Sequence, residues 1–556
     1  MKISALNRVL SIFLVILLFG CSEDLLDEKP PHLITTESLY SSLAGFETGL
    51  NGLYASLRLE RQTTTDIELR AGMFFGGTDN MVSNYKSSRG FNFITQHWGD
   101  SNNPSEDFYA DVFIWLYSII NASNTIINQA EGRDDIDWAG GELSAVENKN
   151  KIIAEAKAIR AWAYRHLTYG WGDVPLSLEE SLGSNIKTDW QRAPVSEVRK
   201  QIISDLIFAE KQIQIEPNMR GRITKGAIQH YLAEMYLVAN KPDSALFWAE
   251  KVINTPQYKL ITDRYGTRQD QPGVAFMDMF YEGNENRDQG NTEALWVWQF
   301  AIETIGGSSH VIRRYHTGRF SDWVIDGVRS LRDTYERGGR GRSRQALTKW
   351  AIDYYEPQDA RGSNYALRKF FILKDATENA PYPADRLPPG YNYGDTIWMN
   401  WNEDISVTKS QIPDWPYIRK IEGTDPNNVG GSNQYNDVIY IRLAETYLLL
   451  AEAQFLLNRP NEAANTINIL RSRSNASNIT AAEVSIDFIL DERSRELVLE
   501  EHRRWTLLRT GKWLERVKKY NKNGGHLVSD RDILFPIPQI VIDANLTNEM
   551  PQNPGW

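Results

Sequence analysis

The sequence predicts a mainly α protein: a helical-repeat scaffold carrying a large loop-rich insertion and a few short strands. Three observations lead there. Residues 232–245 (LAEMYLVANKPDSA) and 450–463 (LAEAQFLLNRPNEA) match each other, and each reads as one helix, a Pro-marked turn and the start of a second helix. Apolar residues recur at helical spacing elsewhere, beginning with Leu39, Leu43, Phe46, Leu50, Leu53 and Leu57. The long stretch between the two matching segments is rich in Gly, Pro, Asn and Trp, which is loop composition. With 556 residues the chain exceeds the ~250 to 300 at which a single compact core stops growing, so either several domains or a layered repeat is required.

Taken in order, residues 1–20 read as a signal peptide. Lys2 and Arg8 precede an apolar run from Val9 to Phe19, which is too short for the ~20 residues of a transmembrane helix. Leu18-Phe19-Gly20-Cys21 resembles the lipobox of bacterial lipoproteins, which would make Cys21 the lipidated first residue of the mature chain. Ser22-Glu23-Asp24 resembles a surface-export signal, and residues 21–36, with Pro30-Pro31, read as an extended tether. Residues 37–280 form the N-terminal part: a helix over 37–57, a second over about 109–131, and a helix pair over 151–169 and 196–213 joined by a long loop. The repeat at 232–245 follows. Its Ala233 and Ala245, like Ala451 and Ala463 of the second copy, let antiparallel helices approach closely, so the unit resembles a tetratricopeptide hairpin. Residues 281–436 are the insertion, in which Trp296-Val297-Trp298-Gln299-Phe300 alternates like a buried strand. Residues 437–556 carry the last repeats, including a helix over 486–510 whose Leu490, Leu497, Val498, Trp505 and Leu508 share a face. Glu500 and Arg504 on that helix are spaced as a surface ion pair.

Composition excludes several functions. One cysteine forbids an intramolecular disulfide, a Cys-only zinc site and a CxxC redox pair. The balance of 61 Lys plus Arg against 72 Asp plus Glu lacks the basic surface that counterion release from nucleic acid needs. No Walker A sequence is present, since Gly511-Lys512 is followed by Trp513, and there is no GxSxG, HExxH or Rossmann glycine pattern. A calcium loop starting at Asp135 fails, because Ala139 and Val146 stand where oxygen ligands are needed. No enzyme activity, no catalytic residue and no cofactor is expected, with a structural calcium left open. Residues 313–344 hold nine Arg against four acids; a solvated or internally paired loop is the expectation and an anion site for uronate or sulfate the alternative.

Several segments together resemble one family. They are Ala154-Glu155-Ala156-Lys157-Ala158 with Arg160-Ala161, Tyr169-Gly170-Trp171-Gly172-Asp173-Val174-Pro175-Leu176, residues 222–227, and residues 437–453 (DVIYIRLAETYLLLAEA) with 468–473. To these add Glu492-Arg493, Glu496-Leu497, Glu500 and Arg503-Arg504-Trp505, then Leu534-Phe535-Pro536-Ile537-Pro538, Asn545 and residues 552–556. In that order they resemble the SusD/RagB outer-membrane nutrient-binding lipoproteins. The resemblance implies a surface-exposed, lipid-anchored binder of an oligo- or polysaccharide that hands it to a SusC-like TonB-dependent transporter. Capture of peptides or another non-glycan nutrient, or a pure docking scaffold, are the alternatives.

Sugars present apolar C–H faces and rings of hydroxyls, so their sites pair aromatic platforms with polar side chains. Two stretches have that mixture. The first, 76–102, nominates Asp79, Asn80, Trp98 and Asn102. The second lies in the insertion, among Trp323, Tyr391, Tyr393, Trp398, Trp401 and Trp415, and nominates Trp323, Tyr393, Trp398 and Trp401. Trp162, Trp248, Trp296, Trp298, Trp505 and Trp513 are expected in the core.

Overall fold

The computed structural model describes residues 35–556 apart from 66–67, 85–89, 184, 377–382 and 406–411; Cys21 and the segments around it lie outside the described residues. The helix expected over 37–57 is divided. One turn, Thr36–Leu39, ends where the chain bends at Tyr40 to Ser42, and α1 (Leu43–Arg58) starts afresh with the Ser42 hydroxyl accepting from the Gly45 amide. Its stripe Phe46, Leu50, Leu53 and Leu57 is buried, as the spacing predicts.

Strand β1 (Met81–Ser83) follows, then α2 (Asp107–Gly132), whose apolar face lies inside the protein. Helix α3 (Ala145–Trp171) opens with a capping box between Ser144 and Glu147 and is buried along most of its length. It packs beside α2 and beside α4 (Val195–Gln212). A buried bidentate pair fixes the three together: Arg160 donates to both Asp205 oxygens at 2.9 and 2.8 Å and to Asn124 at 2.9 Å.

The two matching sequence segments form the same hairpin twice. Helix α5 (Lys225–Val238) turns into α6 (Pro242–Ile253) through Asn240, whose φ is 54°. Beyond strands β2 (Ala294–Trp298), β3 (Gln345–Leu347), β4 (Phe370–Ile372), β5 (Thr396–Trp398) and β6 (Val438–Arg442), helix α7 (Leu443–Leu456) turns into α8 (Pro460–Arg473) through Asn458, whose φ is 59°. Asn tolerates this left-handed backbone better than other side chains except Gly, and Pro opens the next helix because its missing N–H has no intrahelical partner there. Ala233, Ala245 and Ala249 pack with Leu449, Leu450 and Ala453, so the two hairpins stack on each other across small residues.

Two-stranded antiparallel sheets join distant parts of the chain. β1 pairs with β3, β4 with β5, and β2 with β6. Of the strand expected at Trp296 to Phe300, β2 holds Trp296 to Trp298 and ends before Gln299, with Trp298 stacked on Tyr440 of β6 at 3.9 Å and 10°. Trp162, Trp296, Trp298, Trp505 and Trp513 are buried, and Trp248 is half-buried.

The C-terminal part departs from the expected helix over 486–510. It is two helices, α9 (Ile486–Leu497) and α10 (Arg503–Arg509), separated by Val498 to His502 with Leu499 at φ 62°; α11 (Trp513–Tyr520) follows. Glu500 and Arg504 are therefore not a surface pair. Glu500 accepts from Arg442 and Lys420, while Arg504 is fully buried, 4.2 Å from the Trp513 ring and 4.6 Å from that of Phe535, donating to the Asp532 carbonyl. Around α9 lies a dense buried set of ion pairs. Arg361 reaches Glu492 at 2.7 Å, Glu496 at 2.9 Å and Asp359 at 2.8 Å, and Arg442 reaches Glu293 at 2.6 Å and Glu496 at 2.7 Å.

Candidate functional site

Among the described residues of the insertion, the β4–β5 hairpin builds the most exposed aromatic surface. Its register sets Trp398 opposite Phe370, Ile397 opposite Phe371 and Thr396 opposite Ile372. Because alternate residues of a strand face opposite sides, Phe371 and Ile397 point inward, into a small core with Phe320, Ile325, Leu331, Leu373, Met399 and Tyr417. Their neighbours point out. Trp398 is 60% exposed and Ile372 46%, and the Trp398 ring leans on Phe370 with centroids 4.8 Å apart at 55°. Tyr393, 40% exposed, is held by its hydroxyl donating to the Asp385 carbonyl at 3.2 Å. Trp323, Tyr391 and Trp401 pack partly against the small core. The Trp401 indole N–H donates to Asp353 at 3.0 Å, and Asn400 and Asn402 beside it are exposed. The result is an apolar ledge rimmed by amides, a surface suited to a flat ligand with one apolar face and polar edges.

The four insertion residues nominated from sequence thus fall on one lobe, with Trp398 and Tyr393 exposed and Trp323 and Trp401 half-buried. Sequence reading missed Phe370 and Ile372, which complete the ledge; the alternation FFI against TIW was the available signal.

The four nominated from residues 76–102 are placed differently, and the expectation that they face a ligand is corrected here. Asp79 is buried and accepts from Arg503 at 2.8 and 2.6 Å and from Arg516 at 2.7 Å. Burial pushes its carboxyl up, but the two guanidiniums outweigh that and hold it below the usual range. Asn80 donates to Ser494 at 3.0 Å. Asn102 donates to Asp532 at 2.9 Å and accepts from the Tyr109 hydroxyl at 2.5 Å. Trp98 is 1% exposed and meets Trp513 edge-on at 5.6 Å. All four are engaged inside the protein, fastening the N-terminal part to the last helices, and present no surface to a sugar. Trp415 is buried too, its N–H on the Leu347 carbonyl at 3.0 Å.

Among the described residues one buried group has metal-ligand composition: Glu60, His166 and His502. Its hydrogen bonds assign it otherwise. The Trp505 N–H donates to His166 Nδ1 at 3.0 Å, which leaves the His166 proton on Nε2. Arg165 approaches His502 Nδ1 at 3.0 Å as a pure donor, so His502 carries its proton on Nε2, facing the Tyr440 oxygen at 3.2 Å. Tyr440 in turn donates to Glu60 at 2.7 Å. Burial holds both imidazoles neutral and pushes Glu60 up to about 7. Neither histidine has a lone pair left for a cation, so the residues fit an internal polar core and not a metal centre.

Two larger hollows lie away from the ledge. One of about 480 Å³ is bounded by residues 216–222 and β2; another of about 510 Å³, mostly apolar, lies between α2, residues 175–190 and residues 540–550. Neither contains a nominated residue.

Comparison with known proteins covers the whole of this architecture. The model of the SusD family matches residues 279–556, and one described as starch-binding, associating with the outer membrane, matches residues 24–237. A SusD-like protein of Formosa agariphila, P2, is 26% identical, with 99% of each chain covered. The starch-binding protein SusD of Bacteroides thetaiotaomicron is 35% identical over 22% of this chain. Among solved structures, a SusD homolog from Bacteroides thetaiotaomicron superposes with a TM-score of 0.69 at 18% identity, covering 94% of this chain and 98% of that one. A laminarin-binding SusD-like protein gives 0.66 at 21% identity, covering 92% and 99%. The motifs, the fold and both family matches agree: the chain belongs to the SusD family.

Proposed function

We propose that the protein is a surface-exposed outer-membrane lipoprotein, anchored through Cys21, that binds an oligo- or polysaccharide and delivers it to a SusC-like TonB-dependent transporter. The observation that carries the binding step is the outward Trp398, Phe370 and Ile372 ledge on a hairpin whose other face is locked into a core. Binding and delivery need no bond chemistry. They need a preformed site of modest affinity, for which micromolar binding corresponds to about −8 kcal/mol, and a tether that raises the effective concentration at the transporter. Tighter binding would slow hand-over. The family description of starch binding in association with the outer membrane, and a laminarin-binding structural neighbour, support a glycan as ligand.

Calorimetry of the mature chain against a panel of soluble glucans and other polysaccharides tests the reading. Trp398→Ala is expected to weaken binding at least about tenfold, the effect of losing ~1.4 kcal/mol of contact. A ligand bound equally well by the variant would remove the ledge from the site. Co-purification of a TonB-dependent barrel with the lipidated protein, abolished in Cys21→Ser cells, tests delivery and anchoring.

A further inference from the structure

Six of the nine arginines of residues 313–344 fall into two sets. Arg313 is enclosed, donating to the carbonyls of Arg340 at 2.8 Å and Gly431 at 3.0 Å; Arg337 pairs with buried Asp385 at 2.6 Å; Arg344 is buried against Tyr315. This set is the internal pairing expected from sequence. The second set, Arg319, Arg340 and Arg342, is half-buried and gathered at one crossing of the chain.

The crossing is well defined. The amides of Arg342, Ser343 and Arg344 donate to the carbonyls of Arg314, Thr317 and Tyr315 at 2.8, 2.7 and 2.7 Å. Gly341 is pressed so closely on this segment that a Cβ there would lie 2.2 Å from the Thr317 carbonyl oxygen and 2.5 Å from that of Gly318. Arg340 and Arg342 flank that contact, and Arg319 leaves it on the other segment. Arg319 is matched by Asp322 at 2.6 Å, which Arg329 also approaches at 3.5 Å. Arg340 reaches the Gly430 carbonyl at 3.5 Å, and among the described residues neither Arg340 nor Arg342 has a carboxylate within 4 Å. Asp333, the other acid nearby, accepts from Ser321 at 3.1 Å, and burial pushes its carboxyl up. Burial, with Arg340 adding to it, also lowers Arg319 from the ordinary guanidinium range. A chain with a formal charge of −11 thus gathers mutually repelling cations at one place.

That place is tied to the lobe that carries the ledge, through the inward face of the hairpin. Phe320, next to Arg319, packs on Phe371 at 4.9 Å, the inward residue of β4 between Phe370 and Ile372, and Trp323 follows within the same small core. Planar guanidiniums match carboxylate and sulfate oxygens in pairs, which hydroxyls alone do not exploit.

We propose that Arg319, Arg340 and Arg342 form an anion subsite on the lobe that carries the aromatic ledge, and that the ligand is a glycan bearing carboxylate or sulfate groups. This rests on the glycan reading above and narrows it. The test is calorimetry of the mature chain with polygalacturonate, dextran sulfate and a neutral β-glucan, each at low and high salt. The inference expects one of the two polyanions to bind at least about tenfold tighter than the neutral glucan, with binding that falls steeply as salt screens the contact. Which polyanion binds tells carboxylate from sulfate. Arg340→Ala with Arg342→Ala should remove most of that advantage while leaving any neutral-glucan affinity unchanged. Arg340→Lys with Arg342→Lys keeps the charge should the alanine variant misfold, and is expected to retain salt dependence with weaker binding. Neutral glucan bound in preference to both polyanions, or polyanion binding unaltered in both double variants, would overturn the subsite and leave the glycan reading standing. Failure to bind any glycan would overturn both.

Discussion

Glu496→Gln tests whether the charged motif of α9 is scaffold or site. The Glu496 side chain is 0% exposed and accepts from Arg361 at 2.9 Å, from Arg442 at 2.7 Å and from Arg473, while its backbone carbonyl accepts from Lys420 and Arg442 at 2.7 Å. Burial raises its carboxyl, and the three guanidiniums outweigh this so strongly that it lies well below the usual range. Glutamine keeps the shape but removes one negative charge and turns an amide N–H toward a guanidinium, which has only donors to offer. Breaking a buried pair in this way costs about 3–5 kcal/mol, because the uncompensated partner stays buried. Against a total stability of roughly 5–15 kcal/mol that is a large share. An unfolding entropy of ~2.1 cal/mol/K per residue over roughly 500 residues gives about 1 kcal/mol/K, so Tm should fall by about 3–5 °C if the chain unfolds as one unit. Urea denaturation should show a lower midpoint with an unchanged slope, and the affinity of the folded protein for its glycan should be unaltered. A stability loss below about 1 kcal/mol would refute the hub. Lost binding at retained stability would make the motif part of the site.

Trp98→Ala should cost about 3–5 kcal/mol and leave the ligand affinity of the folded fraction unchanged, whereas Trp398→Ala should cost far less stability; urea titration of both separates interior from ledge. At the repeat turn, Asn458→Ala should cost about 1 kcal/mol and Asn458→Gly nothing, since only the second relieves the left-handed backbone; equal losses would mean the side chain matters in another way. Glu234 and Glu492 are held down to about 2, burial notwithstanding, by Arg165 and Arg361 respectively. A depressed carboxyl stabilises the fold above its unfolded pKa, so each should contribute about 3 kcal/mol at neutral pH that is lost as pH falls from ~4.5 toward 2. Stability measured across that interval should drop steeply in the parent and less in Glu492→Gln; a flat profile would contradict the pairing.

The features legible in the sequence were local ones. Asn-Lys-Pro and Asn-Arg-Pro with their flanking alanines specify the hairpins by themselves, because turn, helix start and close approach all lie within fourteen residues. The alternation at Trp296 to Phe300 likewise announces a strand. What misled was anything decided by a distant partner. Trp98 and Trp398 occur in similar loop-like company, and Trp513 and Arg504, more than 400 residues beyond Trp98, help make the first an interior residue. The stripe from Leu490 to Leu508 keeps helical spacing across a break because the break is imposed from outside. Glu500 is drawn to Arg442 and Lys420, and these tertiary pairs prevail over helix continuation, while Glu501 pairs with Arg493 and Arg503 on either side of the break.

The same division would let the lobe proposed as the site vary in ligand choice without burdening the fold. Trp398, Thr396 and Ile372 project from a hairpin whose inward residues, Phe371 and Ile397, are 1% and 4% exposed and hold it to Phe320 and Tyr417. Exchanging an outward residue alters the ledge at little cost, since its packing is mostly with solvent and one neighbour. Exchanging an inward one opens a cavity beneath the whole platform. The expectation that follows is asymmetric. Thr396→Tyr or Ile372→Asn should shift glycan preference with Tm nearly fixed, while Phe371→Ala should lower Tm and weaken every ligand together, and equal behaviour of the two classes would mean that the hairpin is not the platform.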